Sequence, residues 1–187
     1  ITGLTVVMGV AIYYFKYIHK DESQTTVAML ILLLTAMAFI PISVMLSKKI
    51  GKKFVYGIGM SIFAVGILIL FGFGHSYPVS FSFIVMFFTG IGFGFTYAMP
   101  YAIVPDAVEY DYLLTGERTE GAFYGIWTFG IKMGQALALA ISGTVLSLFG
   151  YMPDVAQTES SLLGIRLLLG PIPAAILEGA DEIFITE

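Results

Sequence analysis

The sequence predicts an all-α membrane protein with six transmembrane helices, and three observations carry that reading. Of its 187 residues 58% are hydrophobic and only 12% charged, against about 25% charged in ordinary soluble domains. The apolar residues gather in six long runs, 1–18, 24–46, 54–74, 79–104, 122–149 and 161–177, near the ~20 residues a helix needs to cross a bilayer. The runs lack the period-two alternation and ~10-residue length of barrel strands, the other spanning solution.

Taken in order, run 1–18 carries the polar or small residues Thr2, Thr5, Gly9, Tyr13 and Lys16 at helical spacing, a stripe on one face. Runs 24–46 and 54–74 are joined by "SKKIGKK". Run 79–104 contains Gly90, Gly92, Gly94 and Pro100. No strand precedes this G-x-G-x-G, so it reads as backbone packed close to backbone, with Pro100 as a kink, rather than as a dinucleotide loop. Run 122–149 holds "GIWTFGIK", which misses a phosphate-binding loop by one inserted residue and by Met133 where Ser or Thr is needed. Run 161–177 is marginal in length, and Glu178, Asp181 and Glu182 follow where an apolar half-span should continue. Arg166, near its start, is expected to snorkel to the interface.

Lys and Arg in short loops orient a membrane chain. Lys48, Lys49, Lys52 and Lys53 in one loop and Arg118 in the stretch 105–121 put five basic residues on one side. The other side has Lys16, His19 and Lys20 in one loop, His75 in another, and no basic residue in 150–160. The first side is therefore predicted cytoplasmic, with both chain ends. Without Cys, and with His19 and His75 at segment ends in a solvated role, no metal site or thiol chemistry is expected. No basic stripe with interleaved aromatics suits nucleic acid. H-E-x-x-H and G-x-S-x-G are absent, so an intramembrane enzyme has no visible constellation. The chain opens on Ile1 inside apolar sequence, and a fragment of a longer protein is expected.

One charge lies deep in a run. Lys132 sits about 15 Å into the fifth predicted helix at 1.5 Å per residue, where a Lys costs about 2.5–3.5 kcal/mol unless it faces protein or water and has a partner. Every Asp and Glu of the chain lies in a loop or the tail, so that partner must come from elsewhere. Gly125, Thr128, Lys132, Gln135, Leu139 and Ser142 share one helix face by their 3-4 spacing. Gly130 and Gly134 bracket the Lys as a small-xxx-small pair.

The other concentration of charge is "PDAVEYDYLLTGERTEG", residues 105–121, with Asp106, Glu109, Asp111, Glu117, Glu120 and Arg118. Followed by "AFYGIWTFGIKMGQALALAISGTVLSLFGY", it resembles the segment around helices ten and eleven of the glycoside, pentoside and hexuronide cation symporters, melibiose/sodium symporter-like members of the major facilitator superfamily. The P-D-x-x-E-Y, T-G-x-R-x-E-G and I-K-x-G pieces stand in order. "LSKKIGKKFVYG" is similar to the superfamily's basic loop between helices eight and nine, "YYFKYI" to helix seven and "SLLGIRLLLGPIP" to helix twelve. Tyr112 stands where relatives often carry Glu, and Leu114 where they often carry Lys.

The resemblance implies that the six helices are helices seven to twelve, the carboxyl-terminal half of a twelve-helix symporter in a bacterial cytoplasmic membrane. It implies secondary transport of a sugar or glycoside coupled to Na⁺ or H⁺, with the cation held mainly by the missing amino-terminal half or a second copy. Lys132, Thr128, Trp127 and Gln135 would line the substrate site. Asp106, Glu109, Asp111, Glu117 and Glu120 would pair with Lys48, Lys49, Lys52, Lys53 and Arg118 to close the cytoplasmic mouth. The competing reading is a structural piece that inserts and packs but transports nothing.

Overall fold

The computed structural model describes residues 2–19, 23–153, 155 and 157–177. Lys20 and the tail residues Glu178, Asp181 and Glu182 lie outside them. The described residues form helices and short connections, with no strand among them. The helices are α1 Thr2–Tyr17, α2 Ser23–Ile50, α3 Lys52–Phe73, α4 Val79–Thr115, α5 Glu120–Leu148 and α6 Glu159–Leu169. After Gly170 the chain is again helical over 171–177. Five helices are long and apolar enough to cross a membrane: α2, α3, α4, α5 and the stretch Glu159–Leu177. α1, with 16 residues, falls short of the ~20 of a full span.

Two boundaries differ from the sequence reading for one reason. α2 continues four residues past 46 to take in Lys48 and Lys49, and α4 continues eleven past 104, to Thr115. An apolar run marks where a helix is buried in lipid, whereas the backbone hydrogen bonds go on into polar sequence as long as no residue breaks them. α4 passes through both Pro100 and Pro105. It stops at Gly116, whose φ of 69° is left-handed and whose N–H donates to the Tyr112 carbonyl, a helix end that suits glycine. The acidic "loop" is thus largely helix, and only residues 116–119 connect α4 to α5.

The helices pack in two groups: α4 lies along α2 and α3, and α1 along α5 and α6, with smaller contacts between the groups. The glycines of α4 explain the first group. A methyl at Gly90 would meet the Leu32 carbonyl oxygen at 2.6 Å and one at Gly94 the Ala36 carbonyl oxygen at 2.6 Å, both on α2. At Gly92 it would meet the Phe63 nitrogen on α3 at 2.5 Å, and at Gly59 of α3 the Thr96 nitrogen on α4 at 2.8 Å. Residues 90 and 94 share one side of the helix, with 92 about 200° round from 90. α4 is therefore wedged between two backbones at contact distance, the geometry that small residues allow in membranes.

In the second group α1 is the buried centre, with Val6, Val7, Val10, Ala11, Tyr14 and Phe15 all at or below 3% exposure. α1 crosses α5 at Gly134, where a methyl would meet the Thr2 Oγ1 at 2.8 Å, while the space beside Gly130 is open. Of the small-residue pair, one member is used within this chain. α5 itself buries only Ala138 and Leu146.

At the end opposite the lysines, α3 is capped by its neighbours. Tyr14 Oη of α1 donates to the Leu70 carbonyl at 3.2 Å, and Arg166 Nη2 of α6 donates to the Phe71 carbonyl at 2.7 Å. Arg166 also lies 5.2 Å from the Phe71 ring centroid. These carbonyls belong to the last turn of α3, which the helix itself leaves without donors. The guanidinium, expected to snorkel outward, instead supplies one of those donors and faces the negative end of the α3 dipole. His19, expected to be solvated, is half-buried. Its Nε2 lies 3.0 Å from Ser82 Oγ at the start of α4, and its ring stacks on Phe15 at 5.5 Å.

Two outcomes follow. Gly92→Ala should lower stability by about 1–3 kcal/mol, the usual cost of overpacking, whereas Gly72→Ala, with nothing within 4 Å, should be neutral or slightly stabilising. Thermal unfolding of both variants in detergent checks this, and equal melting temperatures would refute the wedge. Burial lowers the His19 pKa from its ordinary 6.5, so the unfolded chain binds more protons near and below that value and stability falls as pH drops through 6.5. The melting temperature should decline between pH 7.5 and 5, and His19→Gln should flatten that slope.

Candidate functional site

Where the two helix groups face each other, a cavity of about 160 Å³ opens between α1, α4 and α5. α1 contributes Leu4, Thr5 and Met8, and α5 contributes Trp127, Ile131 and Gln135. α4 contributes Phe93, Thr96, Tyr97, Pro100 and Tyr101, and Tyr56 reaches in from α3. The volume is below the ~300 Å³ at which small-ligand pockets usually begin, so these helices supply one wall of a larger site.

That wall is aromatic for a reason of spacing. Phe93, Tyr97 and Tyr101 recur every four residues and so lie on one face of α4. Phe93 stacks on Tyr97 with centroids 5.6 Å apart and planes at 18°, and Tyr97 meets Tyr101 at 5.4 Å. Across the seam, Trp127 meets Tyr101 edge to face at 6.1 Å. Tyr97 and Tyr101 are 48% and 53% exposed, so flat ring faces and phenolic hydroxyls stay open to a ligand. This combination suits a molecule with an apolar ring face and a hydroxyl rim.

The four substrate residues expected from the sequence divide between two places. Trp127 and Gln135 are half-buried and line the cavity, while Thr128 and Lys132 lie on the exposed flank of α5. Lys132 Nζ donates to the Gln135 side-chain oxygen at 3.4 Å, a long bond that holds the ammonium at the cavity rim. Ser142, on the predicted face, donates to its own Ala138 carbonyl at 2.8 Å, the local bond that mid-helix serines often make. Of the α1 stripe, Thr5 lines the cavity, Thr2 meets Gly134, and Tyr13 packs on Tyr151 at 5.2 Å. Sequence reasoning missed Tyr97, Tyr101, Phe93 and Tyr56. The four-residue aromatic spacing of α4 was the available signal.

The charged end is built around one inter-helix ion pair. Lys52, at the start of α3, donates to Asp106 Oδ2 at 2.5 Å and to the Ala102 carbonyl at 2.8 Å. It fastens α3 to α4 below the last of the α4 glycines, and it places the lysine connection and the acidic segment at the same end of the molecule. Asp111 instead accepts from Thr119 Oγ1 at 2.5 Å, which braces the tight α4–α5 connection. Arg118 reaches Glu120 at 3.9 Å and lies 5.6 Å from the Tyr112 ring centroid, so Tyr112, the departure from the family pattern, still contacts the guanidinium. Lys48, Lys49, Lys53, Glu109 and Glu117 are exposed and make no ion pair among the described residues. Glu109, Tyr112, Arg118, Glu120 and Tyr124 border an open hollow of about 380 Å³.

Apolar helices of spanning length, a cavity at their seam and charge confined to their ends define an integral membrane protein with an internal small-molecule site. The chain belongs to the MFS/sugar transport protein family, whose model matches residues 1–180. The family's members are transporters. The chain is 33% identical to the "Putative sulfoquinovose importer" of Escherichia coli over 94% of its own length, which is 37% of that relative. It is 31% identical to the Glucuronide carrier protein homolog of Escherichia coli over 89% of its length, 36% of that relative. With the Isoprimeverose transporter of Lactiplantibacillus pentosus it shares 29% identity over 90% of its length, 34% of that relative. The chain thus spans just over a third of the curated relatives it matches.

Proposed function

We propose that these helices form the carboxyl-terminal part of a secondary active transporter that carries a sugar or glycoside together with Na⁺ or H⁺. The observation that carries the reading is the aromatic wall of Tyr97, Tyr101 and Trp127, with Gln135 inside and Lys132 at the rim, in a chain of the sugar transport family. A pyranose has one face of C–H bonds that packs on aromatic rings and a belt of hydroxyls that Gln135, Thr5 and the tyrosine hydroxyls can bond. The relatives named for sulfoquinovose, glucuronide and isoprimeverose point to the same class of cargo. The remaining wall and the cation ligands would come from an amino-terminal six-helix part or a second copy packed on the exposed side of α5. Thr128, one turn from Lys132 on that side, would then face the cargo.

Coupling needs no contact between cation and sugar. If both favour the same conformation, each raises the affinity of the other by the same factor. The end with Lys48, Lys49, Lys52, Lys53 and Arg118 is the cytoplasmic one in this reading, because basic residues stay on that side. There Asp106, Glu109, Asp111, Glu117 and Glu120 form pairs with those bases and with the rest of the protein in the state closed to the cytoplasm. Each exposed pair contributes about 0–1 kcal/mol, and several together bias an equilibrium whose states differ by a few kcal/mol. A second reading, that these six helices alone fold without transporting, is favoured by the open flank of α5 and the one-sided cavity.

In cells lacking other carriers, Lys132→Ala in the whole transporter should abolish accumulation of labelled sugar while membrane levels stay unchanged. Normal accumulation would remove Lys132 from the site. Arg118→Ala should shift the inward/outward population ratio, read by accessibility labelling of a cysteine placed at the cavity. An unchanged ratio together with unchanged transport would end the gate proposal.

A further inference from the structure

Resting on that transport reading, we infer that the cargo is an anionic sugar, a ring that bears one carboxylate or sulfonate, and that the Lys132 ammonium is its counter-charge. The cavity's polar groups are all neutral: the hydroxyls of Thr5, Tyr97 and Tyr101, the indole N–H of Trp127 and the amide of Gln135. They suit hydroxyls and ring faces, and none of them balances a charge. The single formal charge joined to the cavity is Lys132, 3.4 Å from the side-chain oxygen of a lining residue.

That ammonium is underused. Lysine carries three donors, and the printed geometry gives it one long bond to a neutral acceptor with no carboxylate paired to it among the described residues. It lies twelve residues into a 29-residue helix, roughly 18 Å from the helix start, where the dielectric is low and a bare charge calls for an opposite one. A carboxylate or sulfonate on a ring stacked against Tyr101 and Trp127 would reach the rim, accept from Lys132 Nζ and take a second bond from the Gln135 NH₂. Gln135, with its oxygen turned to the ammonium and its NH₂ left for the ligand, links the neutral wall to the charged rim.

The test uses the whole transporter in phosphatidylcholine nanodiscs. Calorimetric titration compares methyl β-glucoside with methyl β-glucuronide and with the 6-sulfonate of the same ring, ligands that differ at one carbon. At least one anionic ligand should bind tenfold or more tightly than the neutral one, about 1.4 kcal/mol. That preference should shrink to within about twofold in Lys132→Gln and persist in Lys132→Arg, which also controls for folding. Equal binding of all three ligands would overturn the inference and leave the sugar reading standing. A preference that survives in Lys132→Gln would likewise overturn it, since the lysine would then be neutralised by a carboxylate of the protein itself. Binding of none of the three to folded protein would remove the sugar reading, and this inference with it.

Discussion

The rest of the structure depends on backbone-to-backbone contact along α4. Lipid offers no hydrophobic reward for bringing two helices together, because the chains around them are as apolar as leucine, so association rests on the closeness and area of contact. Glycines at 90, 92 and 94 let α4 reach α2 and α3 at once, and Gly59 answers from the α3 side. Everything that α4 presents further along, from the aromatic ladder at 93, 97 and 101 to Asp106, takes its position from that wedge. A side chain at the contact would displace an entire helix, and with it the cavity wall some ten residues away.

The second helix group is built differently and serves a different end. α1 is buried on almost every side, yet α5, which carries the charge and the lone tryptophan, is nearly bare. A 29-residue apolar helix with an ammonium midway is poorly suited to lipid alone. The open space at Gly130 and the contact at Gly134 show the two states of such a surface within a single turn, one part covered by α1 and the next ready for another backbone.

Much of this was legible in the sequence. The six runs and their order follow from hydropathy, and Lys132, Trp127 and Gln135 stand out because a polar stripe in an apolar helix is improbable without a reason. The 3-4 spacing put Lys132 and Gln135 on one face, where the structure has them. What stayed hidden has physical causes. The helical extension to Thr115 was invisible because an amphiphilic segment outside the lipid and a loop have the same polarity. Tyr97 and Tyr101 were lost among 11 tyrosines and 16 phenylalanines, whose spacing signals nothing until the partner helix is known. Arg166 looked like a surface residue because the carbonyl it caps belongs to a helix 95 positions away.

The length of α4 has a mechanical consequence. Its 37 residues amount to roughly 55 Å, and its apolar stretch of 26 residues to roughly 39 Å, against a hydrocarbon core of ~30 Å. The surplus is absorbed by tilt or by local thickening of the bilayer. A rod inclined in this way turns changes in membrane thickness into rotation, swinging the tyrosines at its middle and the acids at its tip through arcs of different radius. The lipid composition of the host membrane thereby becomes a variable that acts on the sugar-facing wall and the charged end through one lever.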